Sequence, residues 1–363
     1  MFIRMIPTLF IGLFCSALYG QSEAPEKIEV PLHYIACRPV GKIAIDGKLD
    51  EPSWQRAEWT EYFVDIEGDG SPLPRFKTRA KMLWDDTYFY VAADMEEPHV
   101  WATLTARDTT IYHDNDFEVY IDPDGDTHEY YEFEINAFGA ESDLLLLKPY
   151  RDGGLSVNSW NIKGLKSAVQ VWGSIGNPLD TDAGWSVELA FPWAVLKECA
   201  NRPTPPRDGD HWRVNFSRLQ WEVEIDQESY IKVEGASVDN WVWSPQNVVN
   251  IHYPERWGFV QFSTGGVGQS EAAFQLPPEE EAKKVLRSIY HQQRQFRERH
   301  GHYTTSLDSL GLEYQIMQDF LWPPRLQVTD HLFEASFEEV VDLHQDGRIS
   351  HWFIRQDSKT WKD

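Results

Sequence analysis

From about Leu32 to Ser263 the chain is a succession of short segments in which apolar and polar residues alternate. That two-residue period admits little besides β-strands with one face buried. Such segments occupy residues 78–84, 88–93, 117–121, 130–136, 185–190, 212–218 and 257–262. Turn signals separate them at Asp46-Gly47, Asp85-Asp86, Pro123-Asp124-Gly125 and Asp208-Gly209. Many short strands at this spacing predict a mainly β protein, an antiparallel β-sandwich. One short helix is expected over residues 192–199, where Pro192 sits near its start.

The pattern then changes. Residues 264–270 are small and read as a linker. Pro277 to His300 carries Val285, Leu286, Ile289 and Phe296 at helical spacing, and its acidic start and Arg-rich end suit the helix dipole. Two β-like runs follow at 332–337 and 349–354, the second after a turn at Asp346-Gly347. Residues 271–363 are therefore expected to form a small α+β domain behind a sandwich domain over 21–263.

Residues 1–20 read as a signal peptide, with Arg4 before an apolar stretch from Ile6 to Leu18 and small residues ahead of Gln21. The stretch is too short to span a bilayer, and no later segment approaches a transmembrane run. Export to the periplasm or the outside is the expectation. Cys37 and Cys199 would remain after cleavage, either as one disulfide or as two unrelated buried thiols. Acidic residues outnumber basic ones, 58 against 33, for a net charge of -25. That field repels phosphate backbones and argues against a nucleic-acid partner. No GxSxG, HExxH, Walker or GxGxxG pattern is present, so no catalytic constellation is expected. Asp122, Asp124 and Asp126 surround one turn, a composition that suits oxygen-ligand Ca²⁺; a solvated acidic turn is the alternative. Sixteen Trp, 15 Tyr and 19 Phe are many for this length, and flat indole rings suit sugar faces as well as cores.

Four blocks occur in order: Ile43 to Trp54, Asp114 to Asp122, Gly184 to Trp193 and Pro254 to Phe259. Together they resemble the family 9 carbohydrate-binding modules over about residues 35–263. The resemblance implies a sandwich that captures saccharides non-covalently, often beside glycan-degrading enzymes, and that sometimes holds structural calcium. It also implies a sugar held between two aromatic rings. Tyr112 or His113 falls at the first ring position, and His252 with Tyr253 near the second; neither position is Trp here. Polar candidates follow from the strands: Glu134 and Asn136 share one face, Asn215 projects with Ser217, and Arg218 points to the other side. Arg218 could fork onto sugar hydroxyls or form a structural ion pair. Trp160, Trp241 and Trp243 are stacking candidates, whereas Trp54, Trp84, Trp185 and Trp257 are expected in the core. Residues 285–312 resemble the helix-and-loop start of a pilin-like head, without the long apolar helix of a pilin. Two rival readings stand: a haem-binding sandwich using His with Met82, Met95 or Met317, and a structural or assembly protein acting through residues 271–363 on glycan-degrading enzymes or cell-envelope proteins.

Overall fold

The computed structural model describes residues 31–269, 271–344 and 347–363, and Pro31–Asp363 forms one compact unit. The expected signal peptide, Ser270 of the linker and Asp346 of the last turn lie outside the described residues.

Two sheets make the sandwich. In the first the strand order is Ser156–Val157, Glu141–Leu146, Tyr130–Asn136, Asp116–Asp122, His211–Gln220, Gly258–Gly266 and His33–Arg38. The last of these continues the path into the second sheet through Thr78–Trp84, Tyr88–Glu96, Gly184–Pro192 and Lys166–Trp172. His33–Arg38 runs parallel to both of its neighbours, while the other sandwich pairings are antiparallel. The segments read as linker begin as strand, because Gly266 still pairs with Arg38.

The core follows the alternation. Phe117, Val119 and Ile121 from one strand and Tyr131, Phe133 and Ile135 from its neighbour meet Phe89, Val91, Val187 and Leu189 of the facing sheet. Trp54, Trp84, Trp185 and Trp257 are at most 1% exposed, as expected of core residues. Met82 and Met95 also pack in this core and Met317 against a separate one, so the three do not converge as haem ligands would.

Two of the motif blocks meet at one carboxylate. Glu188 accepts hydrogen bonds from Trp54 Nε1 at 2.6 Å and from the backbone N–H groups of Asp46 and Gly47 at 2.9 and 2.7 Å. Burial nevertheless pushes its pKa up to about 7. Gly47 has φ +86°, and a Cβ there would come within 2.6 Å of the Val169 backbone, so the turn requires glycine.

Cys37 and Cys199 are not joined in a disulfide. Cys37 packs in a side cluster with Ile43 and Trp54, whereas Cys199 lies in the main core, where its N–H donates to Tyr131 Oη. Cys37 is half-buried and Cys199 buried, and the two clusters hold them apart.

In the C-terminal part, helix Glu280–His300 packs Val285, Leu286, Ile289 and Tyr290 on a four-stranded antiparallel sheet, against Phe333, Ala335, Phe337 and Ile354. The first turn of this helix reaches the sandwich through buried charge. Glu280 pairs with Arg213 at 2.7 Å, Arg287 at 2.8 Å and Lys283 at 3.8 Å. Burial alone would raise the Glu280 carboxyl, but Arg287, Arg213 and Lys283 hold it down to about 2. Removing the one anion would strand three buried cations. Glu280→Gln should therefore destabilise the chain by roughly 3–5 kcal/mol in denaturant unfolding; a loss below about 1 kcal/mol would show that the cluster is solvated in solution.

Candidate functional site

The outward face of the first sheet carries a cavity of about 540 Å³, within the range of small-molecule sites. Its floor is set by strand register. Because Phe117, Val119 and Ile121 point inward, Glu118 and Tyr120 point outward; the same alternation sends Glu132 and Glu134 out between Tyr131, Phe133 and Ile135. Glu118 stands opposite Glu134, and Tyr120 opposite Glu132. Ser142 and Leu144 extend these rows on the next strand.

The walls come from turns. Tyr112, in the Ile111–His113 turn, and Tyr150, in the Tyr150–Asp152 turn, are 43% and 46% exposed and both border the cavity. His252 also lines the cavity: its ring is 4.7 Å from that of Tyr150 at 77° and 5.8 Å from Tyr120, and its Nδ1 shares a 3.0 Å hydrogen bond with Tyr130 Oη. Burial and the nearby Arg151 guanidinium lower the His252 pKa to about 4, so the imidazole is neutral at pH 7.

The floor is acidic and buried. Burial pushes Glu118 up to about 7, against the hydrogen bonds it accepts from Tyr120 and Ser217. Burial, then the Glu118 charge, pushes Glu132 up to about 8, and burial with both neighbours raises Glu134 well above the carboxylate range. Tyr120 Oη donates to Glu118 at 2.9 Å and lies 3.2 Å from Glu132.

Of the residues named from the sequence, the cavity gathers Tyr112, Glu134 and His252. The others serve the frame. His113 is exposed beside Tyr112 without lining the cavity. Asn136 donates to Leu104 O and to Asp114, and its Oδ1 caps the turn at Phe138 and Ala140. Asn215 bonds the Ser244 backbone twice, and Trp243 is buried in the core. Arg218 is fully buried, paired with Glu97 at 2.7 Å and stacked near Trp241. Tyr253 is a platform for the Arg151 guanidinium, 4.1 Å from its ring, and faces His291 of the helix. Trp160 stacks on Tyr131 at 4.9 Å. Each of these side chains found a partner inside the protein, which alternation along one strand cannot reveal. Glu118, Glu132, Tyr120 and Tyr150 went unnamed, although the first three obey the same even-step rule that singled out Glu134.

A second acidic group lies at the turn after the Asp116–Asp122 strand. One carboxylate oxygen from each of Asp122, Asp124 and Asp126 falls within 4.8 Å of the others. Asp122 accepts the N–H groups of Gly125 and Thr127, Asp126 pairs with Lys359 at 3.1 Å, and Asp124 Oδ1 is buried with no hydrogen-bond partner. That orphaned oxygen fits a hard cation.

Residues 45–144 match the family model described as "Carbohydrate family 9 binding domain-like". Over that stretch the sandwich is similar to family 9 carbohydrate-binding modules, as the resemblance of its motif blocks implies, and that family is one of binding modules rather than catalysts. Exoglucanase XynX of Acetivibrio thermocellus is 30% identical over 164 residues, and endo-1,4-beta-xylanase A of Thermoanaerobacterium saccharolyticum is 30% identical over 162. Each match covers 45% of this chain but only 12% of the relative's length. A family 9 module of Caldicellulosiruptor kristjanssonii, solved with cellotriose, aligns over 67% of this chain and 98% of its own at 15% identity and a TM-score of 0.42.

The raised carboxyls have a measurable consequence. The unfolded chain loses these protons near the ordinary glutamate value of 4.5, so between there and about pH 8 the folded chain binds more protons. Their contribution to stability is complete below that range and is lost as pH rises through 7 to 8. The melting temperature should fall from pH 5 to pH 8, and a Glu118→Gln/Glu132→Gln variant should show a flatter fall, with Glu188 retaining part of it. Equal slopes in the two proteins would mean that the floor titrates normally.

Proposed function

We propose that this chain is an exported carbohydrate-binding protein that captures saccharides non-covalently in the cavity above, in support of glycan degradation by other proteins. The observation that carries the reading is the combination of two half-exposed rings, Tyr112 and Tyr150, with a hydrogen-bonding floor. A pyranose presents apolar C–H faces to such rings and hydroxyls to such a floor. The rings are Tyr rather than Trp, so each supplies less stacking area and adds a hydroxyl. Affinity should be modest, since a small polar ligand gives little surplus after its desolvation. The match to a binding-module family and to parts of an exoglucanase and a xylanase supports this assignment and a non-catalytic role. Its natural setting is the periplasm or the exterior, beside glycan-degrading enzymes or cell-envelope proteins.

The same reading gives Asp122, Asp124 and Asp126 a structural Ca²⁺. The ion would neutralise three converging carboxylates and cross-link the turn. The residues around it already anchor that turn to the C-terminal part, through Thr127 Oγ1 to Ser358 and His128 to Asp357 O.

A glycan-array screen followed by calorimetry on the full chain tests the site. Tyr112→Ala and Tyr150→Ala should each weaken binding roughly tenfold, about 1–1.5 kcal/mol per ring; unchanged binding in both would move the site off this face. For the metal, excess Ca²⁺ at about 100 times its Kd should stabilise the protein by about 2.7 kcal/mol. Asp124→Asn should abolish that gain, and an equal gain in the variant would remove the ion from this turn.

A further inference from the structure

The cavity floor holds more carboxyl groups and more acceptor capacity than the protein satisfies. Glu118 and Glu134 are directly opposed on neighbouring strands, an arrangement of like charges that destabilises a sheet. Glu132 Oε2 and Glu134 Oε2 have no hydrogen-bond partner, although both residues are more than nine-tenths buried and line the cavity. Leaving such groups unmet is costly, and a bound group that completes the set is one explanation for it. Other acids nearby are accounted for: Arg107 pairs with Glu141 and, at 2.6 Å, with Asp143. Among the described residues no Lys or Arg forms an ion pair with Glu118, Glu132 or Glu134, and none lines the cavity.

A bare metal ion does not match this geometry. Among the described residues, Asp122, Asp124 and Asp126 bring three carboxylate oxygens within 4.8 Å of one another, and the three glutamates do not. The charge is spread along the floor, while the rim offers Thr109, Thr110, Ser142, Ser156 and Asn158 as neutral hydrogen-bonding groups beside the two rings. The complement is a flat molecule with one cationic donor for the floor and several hydroxyls for the rim.

We propose that the saccharide bound here carries a free amine: a hexosamine unit whose ammonium donates to Glu132 and Glu134. This rests on the saccharide reading of the cavity and narrows it to de-N-acetylated amino sugars. N-acetylation would remove the charge and the extra donors together.

Calorimetry on the full chain at pH 7 would compare glucosamine with glucose and N-acetylglucosamine, and the β-1,4-linked dimers of each, using ethanolamine as an amine without a sugar ring. The amino sugars should bind about tenfold or more tighter than their neutral counterparts. Raising the salt concentration should narrow the gap only partly, because the pair is buried. Glu132→Gln and Glu134→Gln, near-isosteric changes whose folding a melting curve checks, should erase the preference, so that amino and neutral sugars bind alike. Neutral sugars binding as well as amino sugars would overturn the amine assignment and leave saccharide capture standing. Ethanolamine binding as tightly as glucosamine would reduce the floor to a general cation site and also overturn it. Binding by none of the sugars would overturn both readings.

Discussion

The two-sided pleat of two adjacent strands governs this molecule. In Asp116–Asp122 and Tyr130–Asn136, every second residue is a large apolar group that must face the opposite sheet, and every other one is an acid, an amide or a Tyr that must not. A slip of one residue would bury Glu118, Glu132 and Glu134 in the sandwich and expose Phe117, Val119 and Phe133. The core therefore enforces the register that assembles the acidic floor. The hydrophobic face aligns the carboxylates on the other.

The C-terminal part is more than an appendage to this arrangement. Arg151 follows Tyr150 in the cavity wall, and its guanidinium donates to the His252 carbonyl at 3.0 Å, to Glu255 at 2.9 Å and to Tyr290 of the helix at 3.2 Å. Asp152 of the same turn accepts from Tyr290 at 2.6 Å and pairs with Arg294. The Tyr150–Asp152 turn and the segment from His252 to Glu255 beside it are thus braced by helix Glu280–His300. Burial would raise Glu255, but Arg151 and His291 hold it at about 2, so this brace stays charged across the physiological range. A helix that packs on its own sheet through apolar residues meets the sandwich through charge, which fixes orientation more tightly than apolar contact does.

The motif blocks have physical reasons. Trp54 and the Asp46-Gly47 turn exist together because both donate to Glu188 of the third block. Asp114 of the second block accepts the N–H groups of Thr103 and Leu104 and the amide of Asn136, which closes the loop leading to Tyr112. Glu255 of the fourth block is the partner of Arg151. Each of these residues satisfies a buried polar group. The cavity was less legible than this frame, because it is assembled from strands and turns far apart in the chain.

Alternation, turn residues and helical spacing determined the strands, the long helix, the core tryptophans and the acidic turn, because each rests on neighbours within a few positions along the chain. They also marked Glu134, since its face follows from counting along one strand. Only the tertiary structure decided that Arg218 and Asn136 are spent on internal partners, that Cys37 and Cys199 sit in separate clusters, and that Glu118 stands against Glu134. Pairing between strands is a long-range choice made by the whole core, and a side chain's freedom to meet a ligand depends on what that choice leaves beside it.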